Sequence, residues 1–102
     1  MLLYKLEEYF AKTQNDTLIV LHQKGSHGPS YYKRYPDSFK FFEPACVTKQ
    51  IQDCTQQEII NAYDNTILYT DYFLSHVIQF LKRHEDQFNT AMLYVSDHGE
   101  SL

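Results

Sequence analysis

Apolar positions recur at helical spacing in two places along the chain. Leu2, Leu3, Leu6, Tyr9 and Phe10 fall on one side of a helical projection of residues 2–12, with Lys5, Glu7, Glu8 and Lys12 on the other. That pattern predicts an N-terminal amphipathic helix, followed by a turn at Asn15-Asp16. A longer pattern covers residues 55–86. Thr55 and Glu58 have the spacing of a capping box, in which each residue's side chain satisfies the other's backbone N–H. Ile60, Tyr63, Ile67, Thr70, Leu74, Val77 and Leu81 then repeat at steps of three and four. Lys82, Arg83 and His84 stand where cations complement the negative end of a helix dipole. A helix of about 30 residues would be about 45 Å long. That exceeds the width of a small domain and leaves room for a break near Asp64-Asn65.

Elsewhere the period changes. Residues 17–22, Thr-Leu-Ile-Val-Leu-His, and residues 90–96, Thr-Ala-Met-Leu-Tyr-Val-Ser, are short, continuous apolar runs. Runs of this kind predict strands covered on both faces, as in a parallel sheet. Residues 23–54 hold all three prolines and two of the three glycines. They read as a long loop with short turns near Phe39–Phe42. Loops this long in compact domains are functional or disordered, and the aromatic residues here disfavour disorder. The order helix, strand, long loop, long helix, strand is a βαβ unit with a preceding helix and a right-handed crossover. Two strands do not make an independently stable sheet. The expected fold class is therefore α/β, with residues 1–102 an internal fragment of a larger domain.

Charge narrows the partners. The formal net charge is -4, and the nine basic residues are scattered, with only Lys33-Arg34 and Lys82-Arg83 adjacent. Nucleic acid is not an expected partner, because phosphate binding needs clustered cations. No apolar run approaches the roughly 20 residues that span a bilayer. The N-terminus lacks the basic, apolar and small-residue regions of a signal peptide. No transmembrane domain is expected within these residues. Cys46 and Cys54 are too far apart for a redox Cys-x-x-C pair, and no second pair completes a zinc knuckle. Two readings stand: unrelated buried thiols, or a disulfide closing a polar loop in an oxidising compartment.

In an open parallel sheet, ligands bind beyond the carboxyl ends of the strands. The first strand is followed by Gly25-Ser26-His27-Gly28-Pro29, the second by Asp97-His98-Gly99-Glu100. Asp97 and His98 offer a hard oxygen and an imidazole nitrogen, a normal ligand pair for zinc or manganese. Gly99 lets the backbone turn where a ligand approaches. Taken singly, Asp97-His98 reads as a solvated turn and His27 as an incidental histidine beside a Gly-Pro turn. Placed together at one sheet edge, the two clusters favour a site. His22, His76 and His84 read as structural, as do Asn65 and Asp71 near the apolar seam of the long helix. Tyr31, Tyr32 and Tyr35 either line a groove or pack. Lys33 and Arg34 either steer a phosphorylated head group or face solvent.

The segment from Leu21 to Pro36, with its Gly25-Ser26-His27-Gly28-Pro29-Ser30-Tyr31-Tyr32 run, closely resembles the lipid A phosphoethanolamine transferases, including the mobile colistin-resistance enzymes. So do Cys46 through Cys54, Tyr63-Asp64-Asn65-Thr66 with Tyr69 and Asp71-Tyr72, and the terminal Ser96-Asp97-His98-Gly99-Glu100-Ser101-Leu102. The resemblance runs along essentially the whole chain in the same order. The Ser-Asp-His-Gly-Glu element alone would point only to the sulfatase and alkaline-phosphatase superfamily.

The resemblance implies a fragment of an α/β/α sandwich with a mostly parallel sheet. The parent domain would lie on the periplasmic face of the bacterial inner membrane, behind an N-terminal membrane domain that these residues lack. A zinc-activated threonine would take phosphoethanolamine from phosphatidylethanolamine and pass it to a lipid A phosphate. By motif match Asp97 and His98 would be zinc ligands. His27 would contact the transferred phosphate or an auxiliary metal, and Cys46 and Cys54 would be a disulfide. The nucleophilic threonine and one acidic ligand lie upstream in the family pattern, and a further histidine lies downstream. No catalytic nucleophile is therefore expected in this chain, which alone should be inactive. Two competing readings are a phosphoglycerol transferase or sulfatase of the same superfamily, and a non-catalytic binding module.

Overall fold

A computed structural model describes residues 3–102. Leu2, which the periodicity includes in the first helix, lies outside the described residues. Two α-helices carry the structure: α1 (Leu3–Lys12) and α2 (Gln56–Arg83). The long connection between them contains short 3-10 turns at Tyr31–Arg34, Asp37–Phe39 and Ile51–Asp53.

The start of α2 follows from its capping box. Thr55 Oγ1 accepts from the Glu58 N–H at 3.1 Å, and Glu58 Oε1 accepts from the Thr55 N–H at 2.8 Å. The Thr55 backbone hydrogen bond, aided by its hydroxyl, holds the Glu58 carboxyl below the usual glutamate range. This support exists above the ordinary glutamate range and is lost as pH falls through the lowered value. At the other end the His84 N–H donates to the Leu81 carbonyl at 3.0 Å. Between these caps α2 runs unbroken for 28 residues, about 42 Å at 1.5 Å per residue. The expected break at Asp64-Asn65 does not occur. The molecule is elongated, 52 × 25 × 16 Å, so no compact outline forces one.

Each half of α2 packs its own partner. Near its C-terminus the Phe10 ring of α1 meets Phe80, His84 and Phe88 edge-on, with centroids 4.8, 5.0 and 5.5 Å away. Leu6, Phe73, Val77 and Phe80 are buried. His84 and His76 donate from Nδ1 to the carbonyls of Phe80 and Tyr72 one turn back, which fits their structural reading. The N-terminal half packs the long loop through Ile59, Ala62, Tyr31 and Cys46, flanked by Ala45, Ile51, Cys54 and Tyr63. Asn61 and Asn65 pin the same loop. Asn61 Nδ2 donates to the Pro44 carbonyl at 2.8 Å. Asn65 takes the N–H groups of Phe41 and Phe42 and returns a hydrogen bond to the Phe42 carbonyl.

Cys46 and Cys54 are joined by a disulfide, with Cα atoms 5.8 Å apart. The bridge closes a loop whose 3-10 turn at Ile51–Asp53 leans on the core beside α2. In the chain-entropy account a loop of this length is stabilised by about 2.5 kcal/mol. The Cys46→Ser/Cys54→Ser double variant should lower unfolding free energy by about that amount, read from denaturant midpoints. An unchanged midpoint would show that the bridge contributes nothing.

Residues 17–22 and 90–96 form no strands; none occurs among the described residues. Many of their apolar side chains face solvent: Leu18 is 89% exposed, Val20 78%, Leu93 91% and Val95 78%, while Ile19 and Leu21 are half-buried. A strand exists only by pairing with a neighbour, and these two segments do not pair with each other. The expected sheet is thus not present within the described residues, while the apolar pattern that predicts it stands largely uncovered.

Candidate active-site cleft

The loop carrying His27 is built tightly. Gly25 adopts φ +54°, a left-handed turn that glycine adopts freely. The His27 N–H donates to the Lys24 carbonyl at 2.9 Å, closing the turn. A Cβ added to Gly28 would stand 2.7 Å from the hydroxyl oxygen of Tyr31, so the buried tyrosine ring approaches bare backbone there. Arg34 Nε donates to the His27 carbonyl at 2.9 Å. The His27 side chain itself is exposed.

The terminal segment is more open. Asp97 Oδ1 lies 3.7 Å from His98 Nε2, and the two side chains are 91% and 61% exposed. His98 Nδ1 donates to the Gly99 carbonyl at 2.6 Å, and the Ser96 hydroxyl donates to the His98 carbonyl at 2.8 Å. The Gly99 hydrogen bond, followed by the Asp97 carboxylate, raises the His98 pKa above its ordinary value. The Gly99 carbonyl engages Nδ1, and the Asp97 carboxylate faces Nε2.

The two segments meet. His27, Gly28, Pro29, Tyr31, Ile51, His98, Glu100 and Ser101 line one open cleft of about 290 Å³. The predicted convergence of the two clusters is therefore present, although no sheet supports it among the described residues. Asp97 adjoins the cleft without lining it. Burial raises the Tyr31 pKa, and the Glu100 charge and then Tyr63 add smaller contributions in the same direction. Ile51 brings the disulfide loop into the wall. Ser101 belongs to the terminal motif, whereas sequence reasoning did not single out Ile51, a plain apolar residue out of context.

Asp97 and His98 offer donor types that zinc accepts. Their donor atoms are a carboxylate oxygen and an imidazole nitrogen, and a backbone carbonyl orients the ring as metal-binding histidines are oriented elsewhere. Among the described residues no group of three His, Cys, Asp or Glu side chains comes together to complete such a site. No described helix is long and apolar enough to cross a membrane.

The Sulfatase family model matches residues 1–102. The chain is 53% identical over 102 residues to phosphoethanolamine transferase EptA of Salmonella typhimurium, covering 100% of this chain and 19% of that protein. It is 47% identical to phosphatidylethanolamine transferase Mcr-1 of Escherichia coli, covering 99% of this chain and again 19% of the relative. The chain thus spans about a fifth of the curated relatives it matches. The periplasmic domain of phosphoethanolamine transferase EptC from Campylobacter jejuni superposes with a TM-score of 0.79 at 49% identity, over 82% of this chain and 27% of that one. The integral membrane protein EptA from Neisseria meningitidis gives the same TM-score at 44% identity, over 83% of this chain and 16% of that one.

Proposed function

This chain belongs to the sulfatase family, and we propose that it forms part of the periplasmic catalytic domain of a zinc-dependent phosphoethanolamine transferase. The carrying observation is the convergence of His27 and His98 on one cleft, in a chain that matches named phosphoethanolamine transferases along its whole length. Asp97 and His98 would hold zinc through a carboxylate oxygen and Nε2. The remaining ligands and the nucleophile would come from parts of the protein beyond these 102 residues, since the relatives are about five times longer.

When bound, zinc lowers the pKa of a hydroxyl nucleophile and screens the phosphate charge. This chain's own residues would position the reaction. His27 hydrogen-bonds an oxygen of the transferred phosphate and offsets the charge that develops there. Thr66 is not suited to attack, being 1% exposed and already hydrogen-bonded. The donor would be phosphatidylethanolamine and the acceptor a lipid A phosphate; the name of Mcr-1 carries the donor, and that of an Escherichia coli relative 41% identical over 85 residues carries Kdo(2)-lipid A. The Cys46–Cys54 bridge suits an oxidising compartment such as the periplasm. Residues 17–22 and 90–96 would enter the mostly parallel sheet of an α/β/α sandwich once neighbouring strands cover their exposed apolar side chains.

The test is mass spectrometry of lipid A from bacteria expressing the complete protein. The expected result is a phosphoethanolamine adduct, absent from the vector control. A phosphoglycerol adduct would reassign the substrate within the family, and no adduct would overturn the reading.

A further inference from the structure

Ser26, the residue before His27, is tied to the middle of α2. Its Oγ lies 2.5 Å from Thr66 Oγ1, forty positions along the chain. Thr66 is buried, and its Oγ1 also donates to the Tyr63 carbonyl at 2.6 Å. A helical threonine commonly bonds a carbonyl one turn back. The one hydroxyl hydrogen is shared between the two acceptors as a three-centre bond. Thr66 Oγ1 is the donor to Ser26 Oγ, so the buried helix residue fixes where the serine oxygen sits. The orientation of Ser26 is thereby set from the helix.

The other side of His27 is held as well. Arg34 Nε grips its carbonyl, and the Tyr31 ring lies against Gly28. The backbone around His27 is thus fixed on both sides, while its side chain stays exposed and lines the cleft. A plain helix–loop staple would need no such grip around one exposed side chain. Positioned catalytic groups do need it, because a displacement of about 1 Å can cost on the order of 100-fold in rate.

We propose that Thr66 is a positioning residue: through Ser26 it sets the angle at which His27 meets the transferred phosphate. The assignment rests on the reading of His27 as a phosphate contact. Thr66 itself touches no substrate, and its buried hydroxyl acts only through Ser26.

The test uses the complete protein and a fluorescent phosphatidylethanolamine donor. Thr66→Val keeps the side chain's shape and removes its hydroxyl. It should lower kcat by about 10- to 100-fold and leave KM within about twofold. Thr66→Ser should recover most of the loss. Ser26→Ala should reproduce it, and serves as the reporter if Thr66→Val does not fold. In a His27→Ala background Thr66→Val should add nothing, because the group being positioned is gone. Folded Thr66→Val and Ser26→Ala proteins with unchanged kcat, beside an impaired His27→Ala, would overturn the positioning role. So would a Thr66→Val loss that persists in the His27→Ala background. Full activity in His27→Ala would overturn the reading of His27 itself, and the role of Thr66 with it.

Discussion

Asp97→Ala and His98→Ala, made in the complete protein, should each abolish phosphoethanolamine transfer to lipid A while leaving the fold intact. Both expectations come from the same geometry. The two side chains are 91% and 61% exposed, and their polar contacts are to each other and to Gly99. Exposed substitutions of that kind shift stability by about 0.5 kcal/mol or less. Their donor atoms, in contrast, are the ones proposed to hold zinc. Losing one ligand should remove several kcal/mol of transition-state stabilisation, at least about a thousandfold in rate. The zinc content of the purified variants should fall in parallel. Lipid A mass spectra and elemental analysis read the two effects, and thermal unfolding separates them from misfolding. Wild-type transfer in both variants would remove Asp97 and His98 from the site.

The parts of this fold that were legible in the sequence are the local ones. The Thr55–Glu58 capping box spans three positions, and both of its hydrogen bonds form. The steps of three and four that predict α2 lie on a single helix, but of those positions only Val77 is buried; Ile67 is 48% exposed, and the buried face runs instead through Ile59, Ala62, Thr66, Phe73, Val77 and Phe80. The break at Asp64-Asn65 was inferred from the width of a compact domain rather than from the residues, and an elongated molecule does not obey that limit. The strands fail for a different reason. The apolar content of residues 17–22 and 90–96 is written in the chain, but strand pairing depends on neighbours that a strand's own residues do not specify.

The site divides along the same line. His27 and His98 share a cleft, as the glycine-flanked and Asp-His clusters predicted. The sheet edge invoked to bring them together is not what does so among the described residues. The His27 loop is instead anchored on α2 through Ser26 and Thr66, and the disulfide loop adds Ile51. Asn65 was readable as a structural hydrogen-bonder because a polar residue beside an apolar seam needs a partner. Its partners were not readable, since they lie 23 and 24 positions away in an irregular loop.

That dependence makes Asn65 the site of the largest expected stability effect. The side chain is fully buried and makes three hydrogen bonds. Oδ1 accepts from the N–H groups of Phe41 at 3.1 Å and Phe42 at 2.8 Å, and Nδ2 donates to the Phe42 carbonyl at 3.1 Å. Asn65→Ala leaves a cavity and strips three backbone groups of their partner. Each buried group so abandoned costs about 1–3 kcal/mol. The rings of Phe41 and Phe42 are 76% and 40% exposed, so water can reach part of this segment. The net loss should accordingly be about 2–4 kcal/mol, toward the low end of the summed penalties. Asn65→Leu separates the two causes, because it fills the space without restoring a hydrogen bond. It should remain within about 1 kcal/mol of the alanine variant if hydrogen bonding dominates. Recovery of wild-type stability by leucine would instead make Asn65 a packing residue. Denaturant midpoints measure both, and hydrogen exchange at the Phe41 and Phe42 amides should accelerate in either variant, since both amides then lose their acceptor.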